Sequence, residues 1–148
     1  MKRDVFATPG YLTTAAARGF ARLSEARLRP LGFGVGAVPV LVALRDTGAD
    51  TQAALARALR VGQPPMAQML ARLERDSLIE RRPDPSDGRR RKVALTARAE
   101  AGLPDALAAL FAGNEEALRG FTDEEAATLT ALLERVIANL DEAGGGPE

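Results

Sequence analysis

The chain has 148 residues, no net charge at pH 7, no cysteine, no histidine, and aromatic side chains at 4% of its positions. Without cysteine there is no disulfide framework, thiolate redox sensor or Cys-ligated metal, and without histidine the commonest general base and transition-metal ligand is missing. An apolar share of 46%, carried mostly by Ala and Leu, excludes a disordered tail and favours helix over strand, in one domain or a small domain with helical arms.

The opening "MKRDVFATPG" has charges with no apolar run behind them and does not read as a signal peptide. No stretch approaches the roughly 18 apolar residues of a membrane span, so the expected setting is cytoplasmic. Net neutrality conceals a gradient. Residues 1–59 hold eight basic and four acidic side chains, residues 60–92 nine and five, and residues 100–148 two and eleven. A basic middle joined to an acidic end suggests one face turned to a polyanion and another that is merely solvated.

Residues 11–29 are predicted to form a helix with Leu12, Ala16, Phe20 and Leu23 near one face, broken by Pro30 and the glycines at 32, 34 and 36. A second helix is predicted over 37–47, with Pro39 tolerated in its first turn and Gly48 as its stop. A third, within 50–61, is capped by Asp50 or Thr51 and is expected to bury Ala54, Leu55, Ala58 and Leu59. The fourth begins at "QPPMAQMLARL", where Met66, Met69, Leu70 and Leu73 make an apolar stripe and Pro64 and Pro65 sit in the first turn. Two short helices joined by so brief a turn form a helix-turn-helix candidate.

Ile79–Arg82 and Lys92–Leu95 are predicted as short strands joined by a loop, "PDPSDG" and the arginines after it, longer than a tight hairpin needs. Asp84 and Asp87 are expected on a solvated turn amid those arginines. From Thr96 the chain reads as helix again, with a kink or irregularity expected at Pro104 and Gly113. The last helix opens with a capping box, Thr122 and Glu125, and Phe121 is placed as its hydrophobic staple. Leu129, Leu132, Leu133, Val136, Ile137 and Leu140 then line one side, and Gly144–Gly146 end it, leaving a "GGGPE" tail expected to fray. Such a one-sided stripe needs a cover, within the chain or on a second copy.

Six basic residues, Arg81, Arg82, Arg89, Arg90, Arg91 and Lys92, crowd the hairpin directly after the helix pair. The parts suit DNA together. A helix fits the major groove, an arginine-bearing loop can enter the minor groove beside it, and the other cations can hold phosphates. Two readings compete with this: a plain solvated edge whose charges prevent aggregation, and a winged-helix interaction module that holds an acidic protein. An enzyme is disfavoured, since no nucleophile–base pairing, phosphate-binding glycine loop or metal-ligand spacing occurs. No cofactor is expected.

Residues 50–96 resemble the MarR family (multiple antibiotic resistance regulators) of winged-helix transcription factors. The family's wing pattern, D-x-R-D-x-R followed by an apolar strand ending in L-T, is matched by Asp84, Asp87 and Arg89 and by "VALT" at 93–96. "LARLERDSLIERR" resembles the exit of its recognition helix into the wing. The resemblance implies a mainly α fold with a small β-hairpin wing, a winged helix-turn-helix domain flanked by dimerisation helices. Residues 1–36 would be the N-terminal dimerisation helix and connector, 37–96 the DNA-binding domain and 97–148 the C-terminal dimerisation helices.

The implied function is sequence-specific binding of double-stranded DNA by a homodimer at a roughly palindromic operator, as a repressor released by a small aromatic or anionic ligand. Arg89 would be the wing-tip arginine in the minor groove, with Asp87 orienting nearby arginines and Arg90 and Arg91 on phosphates. Gln63, Pro64, Pro65, Ala67 and Gln68 would face the major groove, with Arg72 one turn further on. Gln68 and Arg72 as ordinary exposed helix residues is the plain alternative. Tyr11 and Arg18 are candidate effector contacts, although core or surface roles suit them equally. Three positions depart from the family pattern: Ser86 stands where Arg is frequent, Ser77 where Gly is usual, and "GQPP" where a Ser or Thr cap is expected.

Overall fold

The computed structural model describes residues 4–34 and 36–144. Thr8 caps helix α1 (Pro9–Leu28), its Oγ1 accepting the Tyr11 N–H at 3.3 Å, and a 3₁₀ turn around Pro30 closes the helix. Helix α2 (Ala37–Asp46) is entered from Gly36 at φ 78°. A side chain there would be strained, and its Cβ would lie 2.6 Å from Met69 Cε. Thr51, not Asp50, caps helix α3 (Gln52–Ala58), through Oγ1 and the Ala54 N–H. Helix α4 (Gln63–Arg75) starts at Gly62 without a side-chain cap. Strands β1 (Ile79–Asp84) and β2 (Asp87–Leu95) pair antiparallel, and helices α5 (Ala97–Ala117) and α6 (Asp123–Gly144) complete the order. The capping box of α6 forms in both directions: Thr122 N–H donates to Glu125 Oε2 at 2.9 Å and Glu125 N–H to Thr122 Oγ1 at 3.1 Å.

One core joins the parts. Val38, Val40 and Leu41 of α2 meet Leu55 of α3 and Met66, Leu70 and Leu73 of α4, with Leu78, Ile79 and Val93 at the base of the hairpin. Leu103 and Ala106 of α5 and Leu28 of α1 belong to the same cluster. Burying each large side chain contributes about 1.5–3 kcal/mol, so the α4 stripe alone fixes which side of that helix faces inward.

Several expectations are corrected. In α3, Leu55 and Ala56 are buried but Ala58 is exposed and Ala54 and Leu59 are half-buried, because the helix is two turns long and Leu59 already lies outside it. Helix α5 is continuous from Ala97 to Ala117, and neither Pro104 nor Gly113 ends it. Pro104 and Glu100 are both exposed, so the carbonyl that Pro104 leaves without an amide partner faces water. Gly113 is a place of close approach: a Cβ there would touch Arg27 and Leu23 of α1 at 3.4 and 3.7 Å. Helix α6 includes Gly144, and the remainder of the "GGGPE" tail lies outside the described residues, as do Met1–Arg3.

Helices α3 and α4 end in the same way. The Arg60 N–H donates to Arg57 O and the Val61 N–H to Ala56 O; the Ser77 N–H donates to Glu74 O and the Leu78 N–H to Leu73 O. Each is a Schellman closure, which needs a left-handed residue just past the helix. Arg60 at φ 55° and Ser77 at φ 59° fill that position without being glycine. Ser77→Gly should therefore raise stability by about 1 kcal/mol, roughly 3 °C in Tm, because it removes the left-handed strain. Thermal unfolding followed by circular dichroism checks this.

Candidate nucleic-acid interface

With Met66, Leu70 and Leu73 turned inward, α4 turns Gln63, Pro64, Pro65, Gln68 and Arg72 outward, while Ala67 is half-buried at the margin. Gln63 does not stand alone. Its Oε1 accepts from Gln52 Nε2 at 3.2 Å, which ties the start of α4 to the start of α3. Arg72 Nη2 lies 3.4 Å from Met69 Sδ. The side chain of Arg72 also reaches a cleft of about 430 Å³ at the junction of α1, α4 and α5, lined by Glu25, Arg29, Phe33, Asp76 and Arg98 as well.

The wing differs from the expected short strands and long loop. Strand pairing continues to the tip, and only Pro85 and Ser86 separate β1 from β2. The register runs from Ile79↔Leu95 to Pro83↔Arg91 and then jumps to Asp84↔Asp87. Gly88, Arg89 and Arg90 are thereby left opposite no partner, a bulge that pushes two arginines out of the ladder.

Asp84 is buried rather than solvated, at 8% exposure. Its Oδ1 accepts the Ser86 N–H at 2.9 Å and the Ser86 hydroxyl at 2.8 Å, so the serine in place of the frequent arginine closes the turn. These bonds, the backbone one first, hold the Asp84 carboxyl below its ordinary range, with Lys92 and Arg90 adding to the effect. Asp87 at the exposed tip accepts the Arg89 backbone N–H at 3.0 Å, and its other oxygen lies 3.9 Å from Arg90 Nε.

The cations of the hairpin are unequally neutralised. Arg81 faces Glu74 at 3.4 Å, Arg82 pairs with Glu80, Arg90 leans on Asp87, and Lys92 Nζ meets Asp50 Oδ2 at 3.1 Å. Asp50, which sequence reasoning weighed only as a helix cap, grips β2 twice, since its carbonyl also accepts the Val93 N–H at 2.7 Å. That hydrogen-bonded carboxylate raises the Lys92 pKa. Among the described residues, Arg89 and Arg91 alone of the six cations have no carboxylate within 4.0 Å.

Tyr11 lies in the first turn of α1, its ring edge-on to Phe6 at 5.1 Å, and Arg18 is exposed two turns further along. Neither lines the α1–α4–α5 cleft. Among the described residues no cluster of three acidic side chains could hold a metal, and no helix is long and apolar enough to cross a membrane. Both ends of the chain expose large apolar side chains: Val5, Phe6 and Leu12 at one, Phe111, Phe121 and the whole α6 stripe from Leu129 to Leu140 at the other.

The lowered Asp84 pKa stabilises the wing turn above the free value near 3.9, and this contribution is lost as pH falls through the lowered value. Ser86→Ala should move the Asp84 carboxyl part of the way back up, because the backbone donor remains. A ¹³C NMR titration of that carboxyl reads the change.

The profile of the MarR family matches residues 31–90. The transcriptional regulator HosA of Escherichia coli is 35% identical over 98 residues, covering 66% of this chain and 73% of HosA. YybA of Bacillus subtilis, an uncharacterised HTH-type transcriptional regulator, is 28% identical over 125 residues, 84% of this chain and 83% of that protein. A mutant of MarR from E. coli, solved in complex with operator DNA, superposes with a TM-score of 0.79 at 28% identity, covering 90% of this chain and 99% of that one. The chain belongs to the MarR family of winged-helix, DNA-binding transcriptional regulators.

Proposed function

We propose that two copies of the chain bind a roughly palindromic duplex operator and repress transcription from it in the cytoplasm, with release by a small anionic or aromatic ligand. The observation that carries this reading is the pair of cations without carboxylate partners, Arg89 and Arg91, on a wing next to the exposed face of α4. Residues 37–96 are the DNA-reading unit, and 1–36 and 97–148 the dimerisation arms. Gln63, Pro64, Pro65, Ala67 and Gln68 face the major groove, where the Gln68 amide suits adenine and the proline rings suit thymine methyls. Arg72 takes a phosphate or a base. Arg89, lifted out of the ladder, enters the minor groove, with Arg90 and Arg91 on the flanking phosphates. Asp87 shapes the tip through the Arg89 backbone amide rather than its guanidinium.

Dimerisation is supported by the apolar surface. The α6 stripe, from Leu129 at 37% exposure to Leu140 at 64%, is left uncovered among the described residues, and a contiguous patch of that kind marks an interface. A two-fold pair would place the α4 helices about 34 Å apart, one turn of duplex. For a ligand, the cleft where Arg29, Arg72 and Arg98 converge beside Phe33 offers cations and an aromatic edge, more than the surface around Tyr11 and Arg18 does.

Duplex selection from a random pool followed by a salt titration tests the reading, and log affinity should fall steeply with log salt. The absence of duplex binding at low salt would turn attention to an acidic protein partner. Arg89→Ala should cost about 1–3 kcal/mol on the operator and blunt discrimination by minor-groove width. Arg91→Ala should weaken all duplexes about equally and lower the salt slope; equal and negligible effects refute this division of roles. Leu133→Glu or Ile137→Glu should leave unfolded or aggregated protein by circular dichroism and light scattering. A well-folded monomer from either variant would contradict the dimer.

A further inference from the structure

Helix α6 touches the rest of its own chain near its two ends. Of its 22 residues, Ala126 and Asp141 are half-buried and the other side chains are exposed. Ala126 lies at the α5–α6 turn, beside Phe111 and Phe121. Asp141 lies about 22 Å further along the helix, where its Oδ2 pairs with Arg60 Nη1. Among the described residues this is the one ion pair that α6 makes.

Arg60 is the left-handed residue that closes α3, three positions before α4 begins. Glycine would suit that backbone better by about 1–2 kcal/mol. An arginine there gains a reach that glycine lacks, and its guanidinium is spent on α6. Because the turn is closed by the Arg60 and Val61 amides, the root of that side chain is rigidly tied to the entry of the recognition helix.

We infer that the Arg60–Asp141 pair is a latch that fixes the heading of α6 against α4, and that it positions the two recognition helices relative to one another. The coupling to DNA rests on the reading above, in which α6 joins two copies and α4 meets the duplex; the latch itself does not. Both groups are partly exposed, so the pair is weak and screened by salt. A weak contact suffices here, because among the described residues no other ion pair or hydrogen bond joins α6 to the winged unit.

The sign of one substitution separates this latch from general electrostatics. Asp141→Asn removes a negative charge from a protein that binds a polyanion, which by charge alone tightens binding. Loss of the latch weakens it, because the helices must then be ordered on the duplex.

The test compares the full chain with Asp141→Asn, Arg60→Gly and the swap Arg60→Asp/Asp141→Arg. Hydrogen exchange without DNA should rise at residues 138–144 in Arg60→Gly, whose turn is relieved rather than damaged, and at residues 58–62 in Asp141→Asn. The swap should restore both. Unchanged exchange in both single variants overturns the latch, whatever the DNA results. On a selected duplex, Asp141→Asn should weaken the dimer about threefold to tenfold, two exposed pairs being lost per complex, and the swap should recover most of it. Tighter or unchanged binding by Asp141→Asn overturns the coupling. If the unaltered chain binds no duplex at all, the proposed function fails, and the exchange measurement alone decides the latch.

Discussion

The burial of Met66, Leu70 and Leu73 beneath α4 is the constraint on which the remaining geometry rests. Three inward side chains at helical spacing leave no freedom in how α4 rolls, so the outward set of Gln63, Pro64, Pro65, Gln68 and Arg72 follows from the inward one. The constraint also reaches past the helix. Leu78 and Ile79 are drawn into the same core directly after the Ser77 turn, so the chain leaves α4 in one direction only. Thr96 then locks the far end of the hairpin to that turn, its hydroxyl donating to Ser77 O at 2.6 Å. Helix face and wing are therefore a single rigid unit, and the spacing between them is a property of the core.

On that unit, charge is sorted by pairing more than by count. A chain with as many acids as bases can still present a cationic edge, provided the acids are elsewhere or are engaged on particular bases. Glu74, Glu80 and Asp50 each hold one hairpin cation, and Asp87 leans on a fourth. Of the six hairpin cations, the two without a carboxylate partner among the described residues, Arg89 and Arg91, both lie on the return strand. The bulge at 88–90 gives this edge relief as well as charge, since Arg89 and Arg90 stand clear of the ladder. Asp84 keeps that shape from within the turn, as a buried acceptor for both the amide and the hydroxyl of Ser86.

What could be read from the amino acids alone was whatever is local. The α4 stripe, the Thr122–Glu125 capping box and the helix-turn-helix spacing depend on residues within a few positions of one another, and each appears as expected. The left-handed backbone at Ser77 was signalled by the glycine usual there. Contacts between distant residues were not legible. Asp50 bonding to β2, Gln52 meeting Gln63, and Arg60 meeting Asp141 bring together residues whose separation in the chain carries no periodicity. The wing was misjudged for another reason. Pro, Ser, Asp and Gly are turn formers, and six residues rich in them read as loop, but two of the aspartates' acceptor bonds stabilise a strand-like path with a bulge instead. Pro104 and Gly113 do not end α5, because exposure on one side and close α1 packing on the other accommodate them within a continuous helix.

The double proline at the head of α4 has a consequence for how that end of the helix can grip. The leading end of a helix ordinarily offers a fan of unspent amide hydrogens that can cradle a phosphate. Here Pro64 and Pro65 carry none and the Met66 amide is bonded to Gly62 O, so Gln63 is left as the sole main-chain donor among the first three residues. The tip therefore exposes two proline rings beside Gln63, with a positive dipole behind them and few main-chain donors to offer a phosphate. Anchorage to phosphates then falls to flexible side chains elsewhere on the surface.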